Sequence, residues 1–202
     1  MAFTVVFTVV FTVVFTVGQL TYVQGLDIVA LIALITGGCR SGKSRYALER
    51  AEAAQGSRTL IATCPRLDDE MSERISRHQK ERQGRGWQTI EEQTDLVGAL
   101  HDTDSAVVLV DCLSLWINNM MYVDGHGVDE DFVADRCERF LEACHSREGM
   151  VLAVTNEVGL GIVPDNAEAR RYRDLLGRCN QTVAAGADEV VFMVSGISSQ
   201  IK

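Results

Sequence analysis

Thr36-Gly37-Gly38-Cys39-Arg40-Ser41-Gly42-Lys43-Ser44 follows an apolar run, Ile28 to Ile35, and precedes a segment rich in Ala, Leu, Glu and Arg. The eight residues from Gly37 to Ser44 complete the pattern G-x-x-x-x-G-K-[ST], in the strand-then-helix context that gives the pattern its meaning. The glycines let backbone N–H groups turn inward around phosphate oxygens, and the start of a helix adds partial positive charge. Lys43 is placed to reach the β and γ phosphates, and Ser44 to ligate Mg²⁺. A glycine-rich turn that binds nothing would explain the glycines but not the lysine, since the chain has only Lys43, Lys80 and Lys202. Gly37, Gly38, Cys39, Arg40, Ser41, Gly42, Lys43 and Ser44 are therefore expected to hold a nucleoside triphosphate.

Outward from this loop the chain alternates strands and helices. Apolar runs without polar alternation, Ile28 to Ile35, Leu60 to Thr63, Val107 to Val110, Val151 to Val154 and Val190 to Val194, suit strands buried on both faces. Ser41 to Gln55 reads as a helix stopping at Gly56. Phe132, Val133, Cys137, Phe140, Leu141 and Cys144 form a helical stripe behind Asp129, a candidate N-cap. After Pro164-Asp165-Asn166 a long helix carries Ala169, Tyr172, Leu176, Cys179 and Val183 on one face. The βαβαβαβ order predicts an α/β P-loop domain, a mostly parallel sheet with helices on both faces. Asp111, at the end of a buried strand, is the candidate Walker-B-type acid, a metal ligand together with Ser44. Alone it would be as easily a solvated strand cap.

Residues 1 to 26 do not fit this pattern. Phe3 to Val17 repeats Phe-Thr-Val-Val, and no charge appears before Asp27. As a strand it would place Phe3, Val5, Phe7, Val9, Phe11, Val13 and Phe15 on one face. A membrane anchor is not expected, because the stretch carries four threonines and no flanking basic residue. The plainer reading is a β-prone tail from translated repetitive DNA, although no methionine lies between Met1 and Met71 to provide a later start. The single domain is expected to span residues 27–202.

The balance of 19 Lys+Arg against 28 Asp+Glu, a net charge of -9, argues against a general nucleic-acid or anionic-membrane binder. Any anion site must be local. The six cysteines contain no C-x-x-C pair, which fits small buried hydrophobes in a reducing cytoplasm rather than a zinc site or a disulfide framework. Asn180-Gln181-Thr182 matches a glycosylation sequon only by chance in that compartment.

Asp68 to Arg82 reads as a helix with acids in its first turn and bases in its last. Arg74, His78 and Arg82 share one line at i, i+4 spacing. Two guanidinium groups beside an imidazole favour its neutral, nucleophilic form and can hold phosphate oxygens near it. On residue types alone a packed helix edge, with Met71, Ile75 and His78 inward and solvated arginines outside, is the simpler account of the line.

With these segments in view, the sequence from about Leu31 to Lys202 resembles the bifunctional adenosylcobinamide kinase / adenosylcobinamide-phosphate guanylyltransferase family of cobalamin biosynthesis. The most specific part is Thr155-Asn156-Glu157-Val158-Gly159-Leu160-Gly161-Ile162-Val163-Pro164, continued by Arg170, Arg173-Asp174, Gly177, Asn180-Gln181 and Ala187-Asp188. The resemblance implies a RecA-like P-loop fold and a histidine that carries covalent GMP, which falls on His78. It maps nucleotide contacts to Cys64, Pro65, Arg66, Arg82, Glu91 and Asp111. Cys39 stands where the family commonly has a small residue such as alanine, and the spacing from Arg82 to Trp87 varies.

The activity this implies is phosphorylation of adenosylcobinamide with ATP or GTP and Mg²⁺. Transfer of GMP from GTP to adenosylcobinamide phosphate then gives adenosylcobinamide-GDP and pyrophosphate. The resemblance also implies a homotrimer acting on a small corrinoid, while the cysteine usage points to the cytoplasm and the net charge to no nucleic-acid partner. Two other functions remain compatible with the loop: a simple P-loop small-molecule kinase in which His78 only packs, and a non-enzymatic nucleotide-binding switch.

Overall fold

A computed structural model describes residues 30–65 and 84–202. The elements are β1 (Leu31–Gly37), α1 (Lys43–Ala53), β2 (Arg58–Ala62), β3 (Trp87–Glu91), α2 (Leu96–His101), β4 (Val107–Asp111), α3 (Leu113–Asp124), α4 (Glu130–His145), β5 (Met150–Val154), α5 (Ala167–Gly186), β6 (Glu189–Val194) and β7 (Ile197–Gln200). Their strands form one sheet in the order β3-β2-β4-β5-β1-β6-β7. All neighbours are parallel except β6 and β7, which form an antiparallel hairpin. Insertion of β5 between the loop-bearing β1 and the acid-bearing β4 is the RecA-like arrangement of the P-loop fold.

Alternation along β1 divides the core. Ala33 and Ile35 face Leu109, Leu152, Val154 and Val191, and are covered by Ala47 and Ala51 of α1. Ile32 and Leu34 face the other way, with Val108, Val110, Val151 and Ala153, and are covered by α2 to α5. Both faces are thus helical, but unequally: one described helix on the first and four on the second. On the thicker side the rings of Trp116 and Phe140 meet with centroids 6.1 Å apart and planes at 47°. The Trp116 indole donates to the Thr94 carbonyl at 2.8 Å. Its polar edge is satisfied while its rings fill the core.

Local signals hold where they were strongest. Asp129 accepts from the Phe132 N–H at 2.8 Å at the start of α4. Asn166 accepts from the Ala169 N–H at 3.1 Å at the start of α5. Both are side-chain N-caps of the expected kind. Cys137, Cys144 and Cys179 are fully buried between those helices. The sequon residue Asn180 is buried inside α5. Helix α1 starts at Lys43 rather than Ser41 and ends at Ala53, before Gly56. Its last carbonyls, which have no partner within the helix, are met by the Arg58 guanidinium, which donates to those of Ala51, Glu52 and Ala54. Gly56 instead serves a turn at φ 105, where a Cβ would meet the Ala106 methyl at 2.6 Å. The sheet also contains two strands, β3 and β7, that the apolar runs do not mark.

No described helix is long and apolar enough to cross a membrane. The expected helix from Asp68 to Arg82, with Arg66, lies outside the described residues, as does the repetitive tail.

Candidate active site

Register across the parallel strands lines up their carboxyl ends. Glu91 pairs with Ala62, Ala62 with Asp111, Asp111 with Val154, and Val154 with Ile35. Parallel sheets bind ligands outside this edge, and every expected site residue among the described ones lies there. They form two groups. The loop Gly37 to Ser44 follows β1; Cys64, Pro65 and Glu91 follow β2 and end β3. Glu91 and Ile35 stand four strands apart in the sheet. Asp111 lies between the groups.

The loop connects the end of β1 to the start of α1. Gly37 has φ 148, and a Cβ there would collide with the Met193 carbonyl. Glycine is required by both angle and space. Gly42, at φ 99, begins α1 without a side-chain cap. No side chain among the described residues caps the first N–H groups of the helix, which is the end that favours an anion. Arg40 sits at φ 55 and is exposed at the tip. The Lys43 ammonium folds back to donate to the Gly38 carbonyl at 2.6 Å and is only 7% exposed. Burial pushes its pKa below the usual lysine value, opposed by the nearby Cys112 and Cys39 thiols and the Asp111 carboxylate. Ser41 Oγ is buried with no hydrogen-bond partner among the described residues, which is uncommon for a buried hydroxyl.

The loop is held from behind by the C-terminal hairpin. Ser195 and Gly196, at φ 50 and 83, make the two-residue turn between β6 and β7, the positive-φ pair such hairpins favour. The Gly196 N–H donates to the Ser41 carbonyl at 2.9 Å. Arg50 of α1 meets Glu189 of β6 at 2.6 Å.

From the other side comes the end of β5. The Glu157 N–H donates to the Gly37 carbonyl at 3.1 Å, and Glu157 Oε1 accepts from Thr36 Oγ1 at 2.6 Å and from Asn180 Nδ2 at 3.2 Å. Asn180 also donates to the Asn156 carbonyl at 3.0 Å and accepts from Thr155 Oγ1 at 2.7 Å. Asn156 donates to Ser114 Oγ at 3.0 Å, and Ser114 Oγ is 2.9 Å from Cys112 Sγ. Burial pushes the Cys112 thiol up to about 11. The Thr63 hydroxyl donates to the Cys112 carbonyl and accepts from the Cys112 N–H, both at 2.8 Å, tying β2 to the residue after Asp111.

Lys43, Ser44 and Asp111 are thus brought to one part of the edge, with Asp111 close enough to affect the Lys43 charge. A serine hydroxyl and a carboxylate are hard oxygen donors of the kind Mg²⁺ takes, and Mg²⁺ in phosphate sites needs only one or two protein ligands. The residues present therefore fit the ion. Cys64 is half-buried and Glu91 exposed at the far end of the edge. His78, Arg66 and Arg82 lie outside the described residues. Thr36, Ser114 and Gly196 are site neighbours that spacing did not single out; only the Ser-Gly turn pair carried a local signal.

A parallel sheet with this loop, a buried lysine within it and an acid two strands away defines a P-loop nucleotide-binding protein of the RecA-like class. Residues 33–201 match the family described as cobinamide kinase / cobinamide phosphate guanyltransferase, and the chain belongs to that family. It is 40% identical over 186 residues to the "Bifunctional adenosylcobalamin biosynthesis protein CobU" of Escherichia coli strain K12, covering 85% of this chain and 100% of that protein. The protein of the same description from Salmonella typhimurium is 40% identical over 187 residues, covering 85% of this chain and 100% of that protein. The "Bifunctional adenosylcobalamin biosynthesis protein CobP" of Pseudomonas aeruginosa is 38% identical over 172 residues, covering 84% of this chain and 96% of that protein. Among solved structures, the RadB recombinase aligns with 82% of this chain and 74% of its own, at 11% identity and a TM-score of 0.47.

Proposed function

We propose that this chain phosphorylates the aminopropanol hydroxyl of adenosylcobinamide from ATP or GTP, then transfers GMP from GTP to the resulting phosphate. The products are adenosylcobinamide-GDP and pyrophosphate. The observation that carries the reading is the state of the loop. A desolvated Lys43 ammonium and a buried Ser41 hydroxyl without a partner among the described residues suit a loop that takes phosphate oxygens as partners.

In the first step the loop N–H groups and Lys43 hold the β and γ phosphates and stabilise charge on the transferred group. Ser44 and Asp111 would hold Mg²⁺, which supplies further neutralisation of phosphate charge when bound. In the second step His78 attacks the α phosphorus of GTP and expels pyrophosphate, and the acceptor phosphate then displaces the histidine. Cys64, Pro65, Arg66, Arg82 and Glu91 form the nucleotide contacts of that step. The separation of Cys64, Pro65 and Glu91 from the loop along the edge suits a protein with two transfers to perform. We assign the catalytic domain to residues 27–202, place it in the cytoplasm and propose a homotrimer; exposed Leu160, Ile162 and Val163 suit burial against another copy.

GTP labelled at the α phosphorus should leave label on the protein, stable to alkali and labile to acid, whereas γ-labelled GTP should leave none. His78→Asn should lose the label and guanylyl transfer while keeping kinase turnover. Guanylyl transfer at the wild-type rate by His78→Asn would overturn the covalent route and leave a plain kinase.

A further inference from the structure

We propose that Glu157 is the general base of the kinase step, taking the proton of the acceptor hydroxyl on Oε2. The inference rests on the kinase reading above and adds a residue to it.

Position comes first. Strand β5 lies between β1 and β4, with Val154 in register with both Ile35 and Asp111. Three residues later the Glu157 backbone is hydrogen-bonded to Gly37, the first residue of the phosphate loop. Its side chain therefore begins beside the first residue of the loop.

Orientation follows from the buried network. Thr36, Thr155 and Asn180 are buried, and the Asn180 amide is fixed by Thr155 and the Asn156 carbonyl before it reaches Glu157. Both donors to the carboxylate, Thr36 and Asn180, use Oε1. Oε2 makes no hydrogen bond among the described residues, and the residue is only half-buried. One oxygen is anchored and the other is uncommitted among the described residues.

Other carboxylates at this edge are committed or remote. Glu92 Oε1 accepts from the Thr94 and Asp95 N–H groups, both at 2.8 Å. Asp111 acts on the Lys43 charge and is assigned with Ser44 to Mg²⁺, and Glu91 is four strands away from β1. None of the three histidines among the described residues follows a strand.

The step balances. The acceptor oxygen forms a bond to the γ phosphorus as its proton passes to Glu157 Oε2. The bond from the γ phosphorus to the bridging oxygen breaks, and its electron pair leaves with the nucleoside diphosphate. Glu157 returns the proton to solvent after product release.

A purely structural carboxylate, one that ties β5 to β1, makes a different prediction from a base. Glutamine keeps a carbonyl oxygen for Thr36 and Asn180 but has no basic oxygen. Phosphorylation of adenosylcobinamide by ATP is measured for wild type, Glu157→Gln and Glu157→Asp across pH. The proposal expects kcat of Glu157→Gln to fall roughly 10²- to 10⁴-fold, with KM for ATP changed by no more than about threefold. It expects the acid limb of wild-type kcat to vanish in Glu157→Gln and to persist, at intermediate kcat, in Glu157→Asp. Wild-type kcat in a folded Glu157→Gln, or an unchanged acid limb in it, would overturn the proposal alone. If Glu157→Gln does not fold, a wild-type profile with no acid limb, or one that Glu157→Asp leaves without, overturns it. A wild-type protein that makes no phosphorylated corrinoid overturns the kinase reading, and the proposal with it.

Discussion

Gly196 and Ser41, far apart in the chain, are joined by a 2.9 Å hydrogen bond from the turn of the C-terminal hairpin to the backbone of the phosphate loop. The contact places a glycine at φ 83 directly behind Gly42, whose added Cβ would meet the Gly196 Cα at 3.3 Å. A β-branched side chain at Gly196 cannot hold that angle without strain. Gly196→Val should therefore weaken triphosphate binding about tenfold, while the melting temperature falls by only a few degrees. Calorimetric titration with a non-hydrolysable triphosphate reads the first and thermal melting the second. Unchanged affinity would mean that the hairpin does not shape the loop.

Lys43 is costly to the empty protein. Its folded pKa is lowered, so the folded state resists the charged form. That cost is fully present below the folded pKa and disappears as pH rises toward the unfolded value of 10.5. Lys43→Met should remove it, raising the stability of the ligand-free protein at neutral pH. The same change should weaken triphosphate binding roughly 10- to 150-fold and abolish kinase turnover. Lys43→Arg should also lose turnover, because the loop encloses a point charge rather than a planar fork. Kinase activity surviving in Lys43→Met would mean that the loop is not the catalytic phosphate site.

Alkali should destabilise the fold through its buried thiols. Cys112 titrates at about 11 when folded against 9.0 in its ordinary state, and Cys144 at about 12. The unfolded thiols ionise first, so stability is fully present below their ordinary value and lost as pH rises from it through the folded values. Cys112 alone accounts for on the order of 2–3 kcal/mol of this loss. Urea midpoints measured on either side of the ordinary thiol value should converge more closely in Cys112→Ala than in wild type. An equal drop in both proteins would assign the alkaline loss elsewhere.

A chain beginning near Leu26 should keep full nucleotide affinity and gain solubility, because the repetitive segment precedes β1 and contributes no charge to the site. Loss of folding on truncation, or firm partition of the full chain into membranes, would show that the segment has a role of its own.

The sequence was most legible where one short stretch determined its own structure. The phosphate loop carries its angles in its glycines, and Asp129 and Asn166 cap helices through residues three positions away. Buried parallel strands advertised themselves as unbroken apolar runs. Strand β3 did not, because Trp87–Glu91 lies at the sheet edge and is exposed or half-buried; β7 is exposed throughout. Helix α3 offered no stripe, since Leu113–Asp124 is apolar over most of its circumference. The group Thr36, Glu157 and Asn180 could not be read from spacing at all, because only the folded sheet brings those three positions together. The Glu157 segment was visible as a family signature, but its orientation toward Gly37 was not.

The sheet order also governs when the site can exist during synthesis. Strand β1 and its loop are made early, yet both strands flanking β1 come later, β5 at Met150–Val154 and β6 at Glu189–Val194. Until Gly196 has emerged, the carbonyl of Ser41 lacks the donor that fixes it. Contacts between such distant segments form slowly and late. A triphosphate therefore has no finished loop to stabilise while the chain is growing, and nucleotide can select the native state only after the last strands have added to the sheet. Destabilising changes in β6 or its turn should be felt first as poor maturation of newly made protein.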